Sequence, residues 1–377
     1  MRKTTASFLA VLLSLGLTAC GNQAATQQPD AGSASTDAAQ GSAAQSRDKR
    51  ETVAEDVGQS VWEWQKDTPE NQGMNGAALE GIHATMDTFP LLSSVIVKNG
   101  YIVDEYYKDG YDENSVFVLN SASKSVTSAI IGIAIDKGYI ESVDVPISDY
   151  FPQVLDDDDP YWRQITIRHL LTHTSGISTT DDALWDTWRS ADNWIDYILD
   201  LPIVSEPGST FSYSTGNTHL LCAIVQQATG MTVYDFGKQY LFDPVGMDSV
   251  RIDTDPQGIS DGGNNIWMTP YDMTKFGLLY RNGGVWEGQQ IVPAEWVEQS
   301  TSVQFERPSG RADYGYQWWV RTFGEQQYAA YFAQGHAGQY IFVVPELELI
   351  VTFTSDYTGS TSIYWQLVNE IVAACEV

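Results

Sequence analysis

Ser121-Ala122-Ser123-Lys124 opens a run, Ser125 to Lys137, in which Val126, Ile130, Ile131, Ala134 and Ile135 recur at helical spacing. The run stops at Gly138, a residue suited to the position just past a helix. The pattern predicts a buried helix with Ser121 and Lys124 on its first turns. Residues three apart share a helix face, so the hydroxyl and the amine fall side by side, whereas Ser123, adjacent to Lys124, falls on another face. A serine hydroxyl is a weak nucleophile near neutral pH and needs a base within about 2.6 to 3.2 Å. Lysine meets that need only where burial or a nearby cation keeps its neutral form accessible. The bland alternative is a serine N-cap followed by a solvent-facing lysine. A cation in the first turn opposes the helix dipole, which weighs against that alternative.

Outward from this helix the pattern mixes strand and helix. Leu92 to Val97 and Tyr101 to Tyr107 are β-rich runs joined by Asn99-Gly100, a strong hairpin signal. Between Tyr139 and about Gly263, helices are expected at Trp185 to Leu201, Asn217 to Thr229 and Val233 to Phe242, with breaks at Pro207-Gly208 and Pro244-Val245-Gly246. Helices over Tyr271 to Arg281 and Ala294 to Ser300 precede β-rich Tyr314 to Val320, Tyr328 to Ala333 and Gln339 to Thr354, and a last helix begins near Ser362. The expected fold class is α/β of the α+β kind, an antiparallel sheet completed from both chain ends and flanked by helices, with an all-helical insert. The sheet part is expected over about 61–120 and 264–377, the insert over about 121–263.

Two further motifs stand downstream of the serine: Tyr213-Ser214-Thr215, after Pro207-Gly208-Ser209-Thr210-Phe211, and His336-Ala337-Gly338. Ile165-Thr166-Ile167-Arg168-His169-Leu170-Leu171-Thr172-His173-Thr174-Ser175-Gly176 and Tyr314-Gly315-Tyr316-Gln317-Trp318-Trp319 complete the set. From about Trp62 to the end, and in this order, the chain resembles the superfamily of class C serine β-lactamases and penicillin-binding-protein-like DD-peptidases. Its shared pieces are a Ser-x-x-Lys, a Tyr-x-Asn-like triplet and a Lys-Thr-Gly-like strand. A lone Ser-x-x-Lys is a weak signal, but three ordered elements and a long signature are specific.

The resemblance implies a β-lactamase/transpeptidase-like fold and a serine hydrolase working through an acyl-enzyme, without metal or organic cofactor. Ser121 would attack a carbonyl, and Lys124 and Tyr213 would move the protons, the first base being either of the two. The backbone N–H groups of Ser121 and Gln339 would form the oxyanion hole. Thr215, His336, Ala337 and Gly338 would bind substrate, with glycines at 335 and 338 marking a cleft. Two departures stand out: His336 replaces a lysine that anchors a substrate carboxylate, and Thr215 replaces an asparagine that orients the acyl side chain. Both shift the expectation from penicillin hydrolysis toward small esters, amides or peptides, including linear 6-aminohexanoate amides. A β-lactamase or D-alanyl-D-alanine carboxypeptidase is the alternative enzyme. A catalytically silent envelope binding protein is the alternative from another class, and intact Ser121, Lys124 and Tyr213 argue against it.

Other constellations carry less. His169 and His173 have the i,i+4 spacing of zinc ligands, yet no glutamate completes a His-Glu-x-x-His frame, so they are read as packing residues beside the site. No Gly-rich phosphate loop occurs. Trp185, Trp188, Trp194, Trp318 and Trp319 are candidates for a cleft rim, although core packing accounts for most tryptophans. The loops around Asp181 to Trp194 and Gln257 to Asn265 are expected to shape the pocket.

Composition bounds the partners. Forty-nine carboxylates stand against twenty lysines and arginines, a net charge of −29, so nucleic acid and anionic lipid are repelled. Residues 1–20 read as an export signal, with Arg2 and Lys3 before the short apolar run Phe8 to Leu13. The segment ends in Leu17-Thr18-Ala19-Cys20-Gly21, which resembles a bacterial lipobox. Cys20 is therefore expected to carry lipid and tie the protein to the envelope membrane. Gly21 in place of aspartate points to the outer membrane in a cell that has one. Residues 21–60 are too poor in branched and aromatic side chains to offset ordering, and read as a tether. Cys222 and Cys375 remain, as a disulfide or as two buried thiols.

Overall fold

The computed structural model describes residues 62–308 and 310–376. The export signal, Cys20 and the tether lie outside the described residues. In chain order the helices are α1 (Gly76–Met86), α2 (Ser123–Asp136), α3 (Ile167–Leu171), α4 (Trp185–Arg189), α5 (Trp194–Leu199), α6 (Thr215–Thr229), α7 (Val233–Gly237), α8 (Asp243–Val245), α9 (Pro270–Arg281), α10 (Ala294–Thr301) and α11 (Ser362–Ala373). The strands are β1 (Leu91–Lys98), β2 (Tyr101–Tyr107), β3 (Phe117–Val118), β4 (Arg251–Ile252), β5 (Ile266–Met268), β6 (Val285–Trp286), β7 (Gln289–Gln290), β8 (Asp313–Tyr314), β9 (Trp319–Phe323), β10 (Tyr328–Gly335), β11 (Gln339–Val344) and β12 (Leu349–Ser355).

Seven strands form one antiparallel sheet in the order β2-β1-β12-β11-β10-β9-β8. The early hairpin forms as expected: Asn99 and Gly100 both take positive φ, 53° and 86°, the geometry that matches strand twist. Its first strand pairs with the last, Val95 opposite Thr352 and Val97 opposite Ile350, so the sheet is completed from both ends of the chain. Side chains alternate between two cores. Ile96, Phe342, Val351 and Phe353 face a layer built from α1 and α11, with Leu79, Ile82, Leu367 and Ile371. Val95, Val97, Ile341, Val343 and Ile350 face a second layer that includes Ile130 of α2 and Phe276 of α9.

α2 confirms the pattern that predicted it. From Ser123 through Ala134 every residue is buried, and Lys137 closes the helix ahead of Gly138, whose φ is 74°. The helix packs on α6, α7, α10 and β10, and the last of these holds its first turn against the end of the sheet.

Four boundaries differ from expectation for identifiable reasons. The run Trp185 to Leu201 divides into α4 and α5, because Asn193 Oδ1 caps the second helix by accepting from Ile195 N at 3.0 Å and Asp196 N at 3.2 Å. Val233 to Phe242 runs on through a π turn into α8, with Pro244 at its first turn, where a missing N–H costs nothing. Tyr314 to Val320 divides at Gln317, whose φ is 63° and whose N–H leaves the ladder to donate to Leu171 O at 3.1 Å. Gln339 to Thr354 is two strands, separated by the Pro345–Leu347 turn. The insert also holds one strand, β4, which pairs with β5 in a small sheet with β3, and α1 had no sequence expectation. Cys222 and Cys375 are both free thiols; burial pushes the Cys222 thiol up to about 12 and Cys375 to about 11.

Candidate active site

Ser121 lies in a 3-10 turn, Asn120–Ala122, that leads directly into α2. The turn rests on the β10–β11 end of the sheet, which approaches so closely that only glycine fits at 335. A Cβ there would collide with Leu119 O and stand 3.2 Å from Ala122 N. One turn further on, Lys124 is 1% exposed. Its Nζ stands 3.1 Å from Ser121 Oγ, within hydrogen-bond reach, and donates to Thr215 Oγ1 at 3.1 Å and to Gly263 O at 2.7 Å. Among the described residues Lys124 has no carboxylate ion-pair partner, and the face of the Tyr213 ring lies 4.9 Å from its amine.

Tyr213 is held by the long signature segment. The stretch through His173 to Thr180 wraps the Tyr213 turn: Ser212 N donates to His173 O at 2.8 Å, Ser214 N to His173 Nδ1 at 3.4 Å, and Thr179 Oγ1 to Tyr213 O at 2.7 Å. Ser175 Oγ ties the segment to Asn217 on α6 at 3.0 Å. The His173 ring is fully buried, 4.5 Å from the Tyr213 ring, and burial, reinforced by the nearby Lys124 charge, holds it well below the usual imidazole range. A neutral ring is what its Nδ1 needs to accept from Ser214. His169 caps α3, its Nδ1 accepting from Thr166 N at 3.2 Å. Both histidines are therefore packing and capping residues beside the site, as expected. On its other side the Tyr213 ring stacks on Trp319, 6.0 Å between centroids and 14° from parallel.

Ser121 and Tyr213 open onto one cleft of about 280 Å³. Its other walls are Trp319, Gln334, Gly335 and the His336-Ala337-Gly338 turn between β10 and β11, then Tyr357, Thr358, Gly359, Thr361 and Tyr364 beyond β12. Three expected substrate-side residues, His336, Ala337 and Gly338, thus line the cleft. Gln339 begins β11 opposite Gly335, and its side chain turns away from the cleft to donate to Ser355 O at 2.7 Å.

Thr215 is a correction. It is 1% exposed and lies beneath the cleft, where its hydroxyl meets Lys124 and the Asp181 carboxylate (Oδ1, 2.9 Å) in place of substrate. The two loops expected to shape the pocket are also placed differently. They lie outside the cleft wall; Asp181 holds Thr215, Gly263 O accepts from Lys124, and the Arg189–Asp261 ion pair locks one loop to the other. Of the five tryptophans only Trp319 lines the cleft, while Trp188 and Trp318 are wholly buried.

Sequence reasoning placed Asp181 and Gly263 in pocket loops and Gln317 in a motif without giving them partners, and it missed the 357–364 wall. Gln317 ties three elements together: Ser125 Oγ of α2 donates to its carbonyl at 2.7 Å, Thr218 Oγ1 of α6 to its Oε1 at 2.7 Å, and its Nε2 donates to Leu171 O at 2.9 Å. The Tyr357 wall had one usable signal. Pairing β12 beside β11 brings the chain after Ser355 next to the His336 turn, and Tyr357 N indeed donates to Ala337 O at 3.1 Å.

A nucleophile-grade hydroxyl on a helix start, a buried amine within hydrogen-bond reach and a phenol across the same cleft define a class, the serine hydrolases that act on ester or amide bonds without a histidine base. The chain belongs to the Beta-lactamase family, whose model matches residues 67–364. It is similar to the 6-aminohexanoate-dimer hydrolase of Paenarthrobacter ureafaciens, 24% identical over 295 residues that cover 72% of this chain and 74% of that one. Among solved structures it is similar to the octameric penicillin-binding protein homologue of Pyrococcus abyssi, with TM-score 0.64, 21% identity and 79% and 77% of the two chains covered. It is also similar to a class C β-lactamase of Rhodobacter sphaeroides, with TM-score 0.62, 17% identity and 81% and 100% covered.

Proposed function

We propose that this protein is an exported hydrolase, tied to the bacterial envelope through lipid on Cys20, that cleaves small esters or linear amides by way of an acyl group on Ser121. The observation that carries the reading is the 3.1 Å contact between Ser121 Oγ and the buried Lys124 amine at the wall of a cleft shared with Tyr213. In this reading Lys124 and Tyr213 move protons, the Ser121 and Gln339 N–H groups receive the oxyanion, and water releases the acyl group. Among the described residues, the side chains lining the cleft include no lysine, arginine, aspartate or glutamate, which supports a substrate without an obligatory carboxylate. The name of the Paenarthrobacter ureafaciens relative supports linear amides.

The test is the intact mass of the protein after a fluorophosphonate, followed by turnover of p-nitrophenyl esters, linear amides, D-Ala-D-Ala peptides and nitrocefin. A single adduct on Ser121, with short-chain esters turned over faster than nitrocefin, is expected. No adduct with any acylating probe would leave a binding protein of the same fold, and faster nitrocefin turnover would make it a β-lactamase.

A further inference from the structure

Three polar groups surround the Lys124 amine, and their protons can be counted. The Thr215 hydroxyl has one proton, and its oxygen lies 2.9 Å from Asp181 Oδ1 while Asp181 Oδ2 accepts the Thr215 N–H at 2.6 Å. A carboxylate only accepts, so the hydroxyl proton points to Asp181, and toward Lys124 Thr215 Oγ1 offers only lone pairs. Gly263 O, 2.7 Å away, likewise only accepts. A neutral amine has two N–H bonds and one lone pair. Thr215 and Gly263 take the two N–H bonds, which leaves the lone pair to the third neighbour, Ser121 Oγ, the one group of the three with a proton to give.

We infer that Asp181, acting through Thr215, is a positioning residue that aims the Lys124 lone pair at Ser121, so that Lys124 and not Tyr213 takes the first proton. The inference rests on the hydrolase reading above. In the step, the Ser121 O–H bond breaks, an N–H bond forms on Lys124, and Oγ bonds to the substrate carbonyl carbon as the π pair moves to oxygen. When the adduct collapses, the proton held on Lys124 leaves with the departing alcohol or amine by way of Tyr213. The products are acyl-Ser121 and a neutral leaving group. The placement of Tyr213 agrees: its ring face is turned to Lys124 at 4.9 Å, and its hydroxyl makes no side-chain hydrogen bond to Ser121 among the described residues.

The direction of these hydrogen bonds sets an unusual order among variants. In Asp181→Asn the amide oxygen must accept the Thr215 N–H, which leaves the NH2 group to donate to Thr215 Oγ1. The hydroxyl proton then turns toward Lys124 and occupies its lone pair. Asp181→Asn should therefore slow the p-nitrophenyl acetate burst by about a hundredfold with KM nearly unchanged, the size of a lost general base. Asp181→Ala frees the hydroxyl without forcing it and should lose about tenfold. Adding Thr215→Val to Asp181→Asn removes the misdirected proton and should recover about tenfold.

A purely structural role predicts the reverse order, because asparagine is the closer mimic of aspartate, and the gain in the double variant cannot come from a damaged fold. Equal rates in the two Asp181 variants, a loss confined to KM, or no recovery in the double variant would each overturn the assignment. The parental full-length chain is treated with fluorophosphonate in parallel. A Ser121 adduct there combined with any of these results removes Asp181 alone, whereas absence of the adduct removes the hydrolase reading with it.

Discussion

Replacing Lys124 by methionine separates catalysis from stability, and the structure sets the size of each effect. Methionine fills nearly the same volume but brings no amine. Losing an amine that is 1% exposed recovers its desolvation cost, about 1 to 3 kcal/mol on the scale of protein substitutions. Of its two inert acceptors, Thr215 Oγ1 keeps its bond to Asp181, so only Gly263 O is orphaned, at about 1 to 3 kcal/mol. These opposing effects nearly cancel, and the unfolding free energy of Lys124→Met should stay within about 1 kcal/mol of the parent, which can be read by urea titration followed by fluorescence. The acylation burst, in contrast, should fall at least about a hundredfold, equivalent to about 2.7 kcal/mol of transition-state stabilisation. Loss of more than about 3 kcal/mol of stability would show the amine to be structural glue. A burst within tenfold of the parent would remove it from the chemistry.

Three further outcomes follow from the same geometry. Tyr213→Phe keeps the ring stacked on Trp319 and against His173, so its melting temperature should match the parent while ester turnover drops about a hundredfold; unchanged turnover would excuse the phenol. Gly335→Val drives a branched side chain into Leu119 O and the Ser121 turn, and should cost about 1 to 3 kcal/mol and nearly all of the burst amplitude. An intact burst would show that the turn can move aside. His173 is held neutral in the fold, with a folded pKa well below its unfolded value near 6.5. Below about pH 6.5 the unfolded chain therefore binds a proton that the native state does not, and stability falls as pH falls, by up to about 1.4 kcal/mol per unit for one group. His173→Gln should flatten that slope in urea titrations between about pH 6.5 and 5, and an unchanged slope would assign the dependence to other groups.

The sequence was most legible where one periodicity ruled. α2, the Asn99-Gly100 hairpin and the two-ended sheet followed from apolar spacing and turn chemistry, and Ser121, Lys124 and Tyr213 fall together because their motifs occupy fixed places on those elements. Boundaries failed where a single side chain overrode the pattern. Asn193 starts a new helix inside an apolar run, and Gln317 leaves a strand to bind three other elements. Thr215 was misplaced because its neighbour Asp181, 34 positions earlier, is adjacent only in the fold. The acidic excess of the chain hid that carboxylate, since one aspartate among many gives no local sign that it faces inward.

The pairing of β1 with β12 also constrains how the molecule is made. Ser93 and Thr354, hydrogen-bonded at 2.7 Å, are 261 positions apart, so the early hairpin cannot join the rest of the sheet until nearly the entire polypeptide has left the ribosome. Contacts of such long range form slowly because loop closure precedes any reward. Any truncation before Leu349 removes the keystone as well as the tail.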